Sequence, residues 1–209
     1  MTVDMGRRER KKQATREALV DAAFRLFEER GFEEVTVEEI SDAVDVSSRT
    51  FFRYFRSKED VVLTFQEEMQ EAVLAALRSR PAAEPVLTAV RAAATVIAED
   101  CEGGAGGFSP ARFDLFQRMM MTSPGVLGSS LEHQQKKCTD LAAEIALRMG
   151  VDPLEDDRPY VVAAIASTAF QTAADLWRRR PGTSLPSLIG TIFDMLEQGL
   201  DYPSALPRD

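Results

Sequence analysis

The stretch 36–59, TVEEISDAVDVSSRTFFRYFRSKE, limits what this chain can fold into more than any other. Thr36 stands three residues before Glu39, the spacing of a capping box, in which hydroxyl and carboxylate each satisfy a backbone N–H at a helix start. Val35 and Ile40 occupy the two positions where a hydrophobic staple closes over such a box. This helix ends near Val44, the chain turns at Asp45 and Val46, and Ser47 caps a second short helix. Within it Phe51 and Phe55 are four residues apart and face inward, while its bases and hydroxyls face out. Ser57 then caps a further helix whose first turn carries Glu59 and Asp60, complementing the helix dipole. Two short helices across a tight turn form a helix-turn-helix, and a basic second helix of this kind fits the major groove of B-DNA.

The remaining segments carry apolar residues at helical spacing, so the chain is predicted to be all-α with about nine helices. Leu19, Ala22, Ala23, Leu26 and Phe27 form one stripe of a first helix over 11–30, stopped by Gly31. Val61, Phe65, Met69, Val73 and Leu77 continue a long fourth helix until Pro81 and Pro85 interrupt it. Proline, glycine and serine clusters divide the rest into helices over 84–100, 109–121, 126–149, 159–180 and 184–200. The expected organisation is a basic N-terminal arm over 1–10, a helix-turn-helix DNA-binding domain over 11–65, a ligand-binding and dimerisation domain over 66–202 joined to it by the long helix, and a frayed tail over 203–209.

Charge supports that division. The 209 residues carry a formal net charge of -9, yet the first sixteen hold Arg7, Arg8, Arg10, Lys11, Lys12 and Arg16 against Asp4 and Glu9. A second basic cluster comprises Arg49, Arg53, Arg56 and Lys58. Bases concentrated at two places on an acidic chain suit a local polyanion-binding face. Other chemistries have no foothold. Cys101, Cys138 and the single His133 cannot build a disulfide scaffold or a zinc site, and no metal or cofactor is expected. Gly103, Gly104, Gly106 and Gly107 lack the preceding strand of a dinucleotide loop and read as a helix connection. No nucleophile elbow or paired catalytic carboxylates occur, so no enzyme activity is expected. With no apolar run long enough for a bilayer, the expected location is the cytoplasm, without membrane contact.

Stretch 36–59, with AAFRLFEERGF over 22–32 before it, resembles the DNA-binding domain of the TetR family of bacterial transcriptional regulators. The resemblance covers about 16–62 and departs from the family pattern at Asp45, where glycine is usual, and at Arg56, where proline is common. It implies a homodimeric, ligand-responsive regulator, a repressor by family default, released from an inverted-repeat operator by a small apolar effector. RTFFRYFRSKEDVV and RFDLFQRMMMTSP are also similar to a branch of that family associated with fatty acyl-CoA sensing, which makes a fatty acyl-CoA one candidate effector. A helical protein-interaction adaptor without DNA binding is the alternative.

Position by position, the resemblance assigns base contacts to Arg49 and Thr50, backbone packing to Phe52 and Tyr54, and phosphate contacts to Arg53 and Lys58. Thr36 and Ser47 are expected to cap helices and touch phosphate at once. Whether the N-terminal bases reach along DNA or form an unengaged leader stays open. Phe65, Met69, Phe113, Phe116, Met119 and Met120 are the candidates to line an adaptable ligand cavity. Ile165, Ala169, Ala173 and Trp177 of one helix, with Ile189, Ile192, Phe193 and Leu196 of the next, are the candidate dimer face.

Overall fold

The computed structural model describes residues 6–200, and its regular structure is entirely helical. The expected tail over 203–209 and the first half of the basic arm lie outside those residues. Nine helices are described: α1 (Arg7–Arg30), α2 (Val37–Asp42), α3 (Ser48–Phe51), α4 (Lys58–Ser79), α5 (Val86–Gly103), α6 (Pro110–Thr122), α7 (Pro124–Met149), α8 (Arg158–Arg179) and α9 (Leu185–Gln198). Each matches an expected helix, with ends moved by a few residues. The largest change is at α1, which starts at Arg7 and takes in the last four residues of the segment expected to be an arm.

The chain divides into two compact units. The first combines the described part of 1–71 with Pro110–Gln135, and the second combines Ala72–Ser109 with the described part of 136–209. A single break near residue 65 was expected; instead α6 and the start of α7 join the helix-turn-helix. The reason is aromatic packing. Phe65 of α4 lies 5.5 Å from Phe116 and 6.5 Å from Phe113 of α6, centroid to centroid, and 6.4 Å from Phe24 of α1. Phe24 continues to Phe27 at 6.3 Å, and Phe27 to Phe32 at 5.0 Å. Every ring in this chain of contacts is buried. Such edge-on and tilted pairs add about 0.5–1.5 kcal/mol each beyond the area they bury.

The second unit is built on small residues. Ala89, Ala93, Ala163, Ala166, Ala169 and Ala173 are all buried, which lets α5, α8 and α9 approach closely. Larger side chains fix the register: Phe170 of α8 meets Phe193 of α9 at 5.4 Å. Arg91 of α5 pairs with Asp194 of α9 at 2.5 Å, and the Glu102 carboxylate accepts the N–H of Leu185 at 2.7 Å, at the start of α9. At the other end Arg148 of α7 donates to the carbonyls of Arg80, Pro81 and Glu84, satisfying the turn after α4. Cys101 and Cys138 are buried free thiols, and burial, with Asp100 and Glu102 nearby, pushes Cys101 up to about 12.

The turn between α2 and α3 depends on one strained residue. Val46 donates its N–H to the Ser41 carbonyl at 3.1 Å, a Schellman-type closure that requires the residue before it to adopt the left-handed region. That residue is Asp45, at φ 55°, the one non-glycine with positive φ among the described residues. Asp45→Ala should therefore lose about 1 kcal/mol of stability in chemical denaturation, from the left-handed penalty of a Cβ without a polar side chain. Asp45→Gly should be at least as stable as the natural chain.

Candidate nucleic-acid interface

The capping box at the start of α2 forms as the sequence requires. Thr36 Oγ1 accepts from the Glu39 N–H at 3.2 Å, and Glu39 Oε2 accepts from the Thr36 N–H at 2.9 Å. The same oxygen accepts the Thr36 hydroxyl proton at 2.9 Å, and Glu39 Oε1 accepts from Arg30 at 2.6 Å. The backbone N–H of Thr36, then Arg30 and the Thr36 hydroxyl, hold the Glu39 carboxyl down at about 2. Val35 and Ile40, the staple pair, are both buried.

Helix α3 is a single turn. Ser47 Oγ accepts the Thr50 N–H at 3.2 Å and lies 3.1 Å from Thr50 Oγ1, so one hydroxyl proton of the pair remains for an outside acceptor. Phe51 and Phe55 are buried, 5.5 Å apart, and Phe51 meets Phe52 edge-on at the same distance. These contacts turn Ser47, Arg49, Phe52 and Arg53 outward, with Thr50 and Tyr54 half-buried beside them. Phe52 is 55% exposed, a large apolar surface that a monomer in water gains nothing by showing. Arg53 lies over the Tyr54 ring at 5.1 Å and donates to its hydroxyl at 3.3 Å. The Arg56 N–H donates to Asp60 at 2.9 Å, which leaves the guanidinium side chain exposed at the same edge.

Two expected phosphate contacts have a different environment. Lys58 directs its ammonium into the molecule, donating to the carbonyls of Phe32, Glu33 and Val35. The Thr36 hydroxyl proton is held by Glu39, so Thr36 has only lone pairs to offer outward. A phosphate, itself an acceptor, cannot use them. The first turns of α1 place Arg7, Arg8, Arg10, Lys11 and Lys12 on an exposed helix with no buried residue before Leu19.

The ligand and dimer candidates are redistributed. Phe65, Phe113, Phe116 and Met119 are buried in the first unit, and the three rings fill that core against one another; Met69 and Met120 are half-buried. Sequence reasoning missed Arg112 of α6, whose guanidinium lies 4.1 Å over the Phe24 ring and 3.6 Å from Asp21 of α1. Its place in RFDLF, one residue before Phe113, was the available signal. Of the dimer candidates, Ala169, Ala173, Ile189 and Phe193 are buried within the chain. Trp177, Ile192 and Leu196 are half-buried, while Ile165 is 43% exposed. The alanine stripe serves the packing of α8 inside its own unit, a use that helical spacing alone does not distinguish from an interface.

Residues 19–64 match the bacterial regulatory proteins of the tetR family, and residues 84–201 match the MftR C-terminal domain. Over 184 residues, 88% of this chain and 81% of the relative, the sequence is 38% identical to the HTH-type transcriptional regulator TcmR of Streptomyces glaucescens. The chain belongs to the TetR family. A putative mycofactocin biosynthesis transcriptional regulator, MftR of Mycobacterium tuberculosis, is 26% identical over 92% of this chain and 94% of its own. The fold is also that of FadR from Thermus thermophilus, a TetR-family repressor solved in complex with lauroyl-CoA, at a TM-score of 0.55 and 24% identity over 93% of this chain and 99% of that one. As a TetR-family transcriptional regulator the protein is not an enzyme, and the α2–α3 pair is its helix-turn-helix. No helix among the described residues is long and apolar enough to cross a membrane.

Acid should loosen this site in a defined window. The Glu39 pKa is lowered on folding, so its stabilising contribution is complete above the ordinary 4.5 and is lost as pH falls toward 2. Thermal melts between pH 5 and about 2 should show a smaller decline for Glu39→Gln than for the natural chain. Equal declines would mean that Glu39 is not held as described.

Proposed function

We propose that this regulator binds an inverted-repeat operator as a homodimer, acts as a repressor, and releases DNA when a small apolar effector binds. The observation that carries the reading is the outward row Ser47, Arg49, Phe52 and Arg53 on a capped helix that is otherwise locked by buried Phe51 and Phe55. Arg49 reads a base, because an exposed guanidinium near a recognition-helix N-terminus engages guanine bidentately. Thr50 and Ser47 share one free hydroxyl proton for a neighbouring base or phosphate, and Phe52 packs against sugar and thymine methyl groups. Arg53, Tyr54 and Arg56 lie along the phosphates. The basic first turns of α1 extend this footprint.

Dimerisation uses the face of α8 and α9 that internal packing leaves over. Val161 and Ile165 are 51% and 43% exposed, and Met195 of α9 is 43% exposed. Between and beside them Thr168, Thr172 and Thr191 donate their hydroxyls to carbonyls one turn back, at 2.9, 2.9 and 3.0 Å. With hydroxyls folded onto their own helices, these threonines present methyl groups, and the face is apolar in effect. Two copies of each helix would close it as a four-helix interface.

The effector reading follows from the aromatic packing. Phe65, Phe113 and Phe116 fill the space between α4 and α6, so an apolar molecule that enters there competes with the rings joining α6 to α1. Sensing and loosening of the DNA-reading unit would then be one event, provided that the effector binds the displaced arrangement more tightly. A fatty acyl-CoA is one candidate, given that FadR of the same fold is described with lauroyl-CoA.

Selection of random duplexes by the purified protein, with titration of the winning site at several salt concentrations, tests the DNA reading. An enriched inverted repeat is expected. No enriched site, with weak binding that vanishes near physiological salt, would overturn it. On the enriched site Arg49→Ala should cost about 1–3 kcal/mol at one base position of each half-site and leave the other positions unchanged. For the dimer, Ile165→Glu should halve the mass seen by analytical ultracentrifugation and abolish tight operator binding while the helical circular dichroism is retained. A dimer that survives this change would place the interface elsewhere.

A further inference from the structure

Lys58 is the first residue of α4, where a cation opposes the helix dipole that Glu59 and Asp60 complement. Its placement has another cause. The Nζ atom lies 2.7 Å from the Phe32 carbonyl, 3.1 Å from that of Val35 and 3.2 Å from that of Glu33, and 4.4 Å from the centre of the Phe32 ring. An ammonium has three N–H donors, and three carbonyls of one short loop receive them while the ring face takes up positive charge. The loop, 31–35, joins α1 to α2 and ends where the Thr36 capping box begins.

We propose that Lys58 is a positioning residue of the DNA-reading surface: its ammonium is the central ion of a carbonyl cage that sets the α1–α2 loop, and it makes no contact with phosphate. Three carbonyls that converge on one point repel one another unless a cation lies between them. Lys58 supplies that cation from α4, and so fixes the direction in which the chain enters α2. The same bond ties the first residue of α4 to the segment ahead of the helix-turn-helix. A shift of α4 therefore reaches α2 through the loop, in addition to the covalent path through Ser57. Arginine cannot replace lysine here, because a planar fork of donors does not match three acceptors converging on one atom. The DNA arm of the proposal rests on the operator reading above; the cage itself does not.

The test uses the full chain labelled with 15N at lysine. In the free protein one Nζ cross-peak should persist at neutral pH, protected from solvent and shifted upfield by the Phe32 ring. It should be absent in Lys58→Met and keep its position when the selected duplex is added. Amide exchange over 31–35 should accelerate at least about tenfold in Lys58→Met and in Lys58→Arg, as loss of hydrogen bonds to a charged group implies, with the amides of 19–27 unchanged. Operator affinity should fall about tenfold in both variants, while the slope of affinity against salt stays at the natural value. A phosphate contact would behave differently. The cross-peak would move on DNA addition, the Lys58→Met slope would drop by about 0.9 for each protomer, and Lys58→Arg would restore binding; any of these results overturns the proposal. Should Lys58→Met fail to fold, the natural chain's cross-peak and the Lys58→Arg exchange decide. If no duplex is selected at all, the operator reading fails and the cross-peak and exchange still decide the cage.

Discussion

The ring contacts that run from Phe32 through Phe27 and Phe24 to Phe65, Phe113 and Phe116 are the interaction on which the DNA-reading unit depends. A three-helix helix-turn-helix of some fifty residues has little apolar surface to bury by itself, and domains of that size are marginal. Here the deficit is met by α6, an element more than forty residues further along the chain, whose two phenylalanines complete the core. Arg112 adds a cation over the Phe24 ring and an ion pair to Asp21, so α6 and α1 are joined by charge as well as by packing. The consequence is functional. Whatever disturbs α6 acts directly on the stability of the surface that faces DNA.

That surface is defined as much by what its polar groups have already bonded as by which residues it contains. Thr36 and Lys58 look equivalent in sequence to Ser47 and Arg49, since all four are donors near helix starts. In the structure the first pair has its protons bound to Glu39 and to three loop carbonyls. The second pair faces outward, with one hydroxyl proton left over from the Ser47–Thr50 contact. Affinity for a polyanion comes from donors that are still available, because an internal hydrogen bond to an ionised or carbonyl partner is costly to break. The internal pair is committed within the molecule, and the outward pair keeps donors for an outside partner.

Local rules were legible residue by residue. The capping box, the staple, the Ser47 cap and the helical character of each segment follow from side chains within four positions of one another, where geometry leaves few choices. Asp45 in the left-handed region was likewise foreseeable, as aspartate is among the few residues to tolerate it. What could not be read were uses that depend on a partner far away in sequence. The alanines of α8 have the spacing of an interface, yet small residues suit any close helix approach, and α5 and α9 occupy that face first. The phenylalanines of α6 have the composition of a pocket lining, and in the structure both lie against Phe65 in a buried core. In both cases periodicity identified which side chains are buried and left open what buries them.

The same limit explains why the exposed face of α8 and α9 was hidden. A search for apolar periodicity passes over Thr168, Thr172 and Thr191, which count as polar. Their hydroxyls bond to carbonyls one turn earlier, a habit of threonine inside helices, so the donors of these side chains are already used. A face built this way is soluble enough for the free chain, since water can compete for the hydroxyls. In a closed interface it buries no unsatisfied donor, because each hydroxyl already has its acceptor. On the homodimer reading proposed above, such residues serve a helix that pairs with a copy of itself better than a row of leucines, which would associate without regard to partner or register.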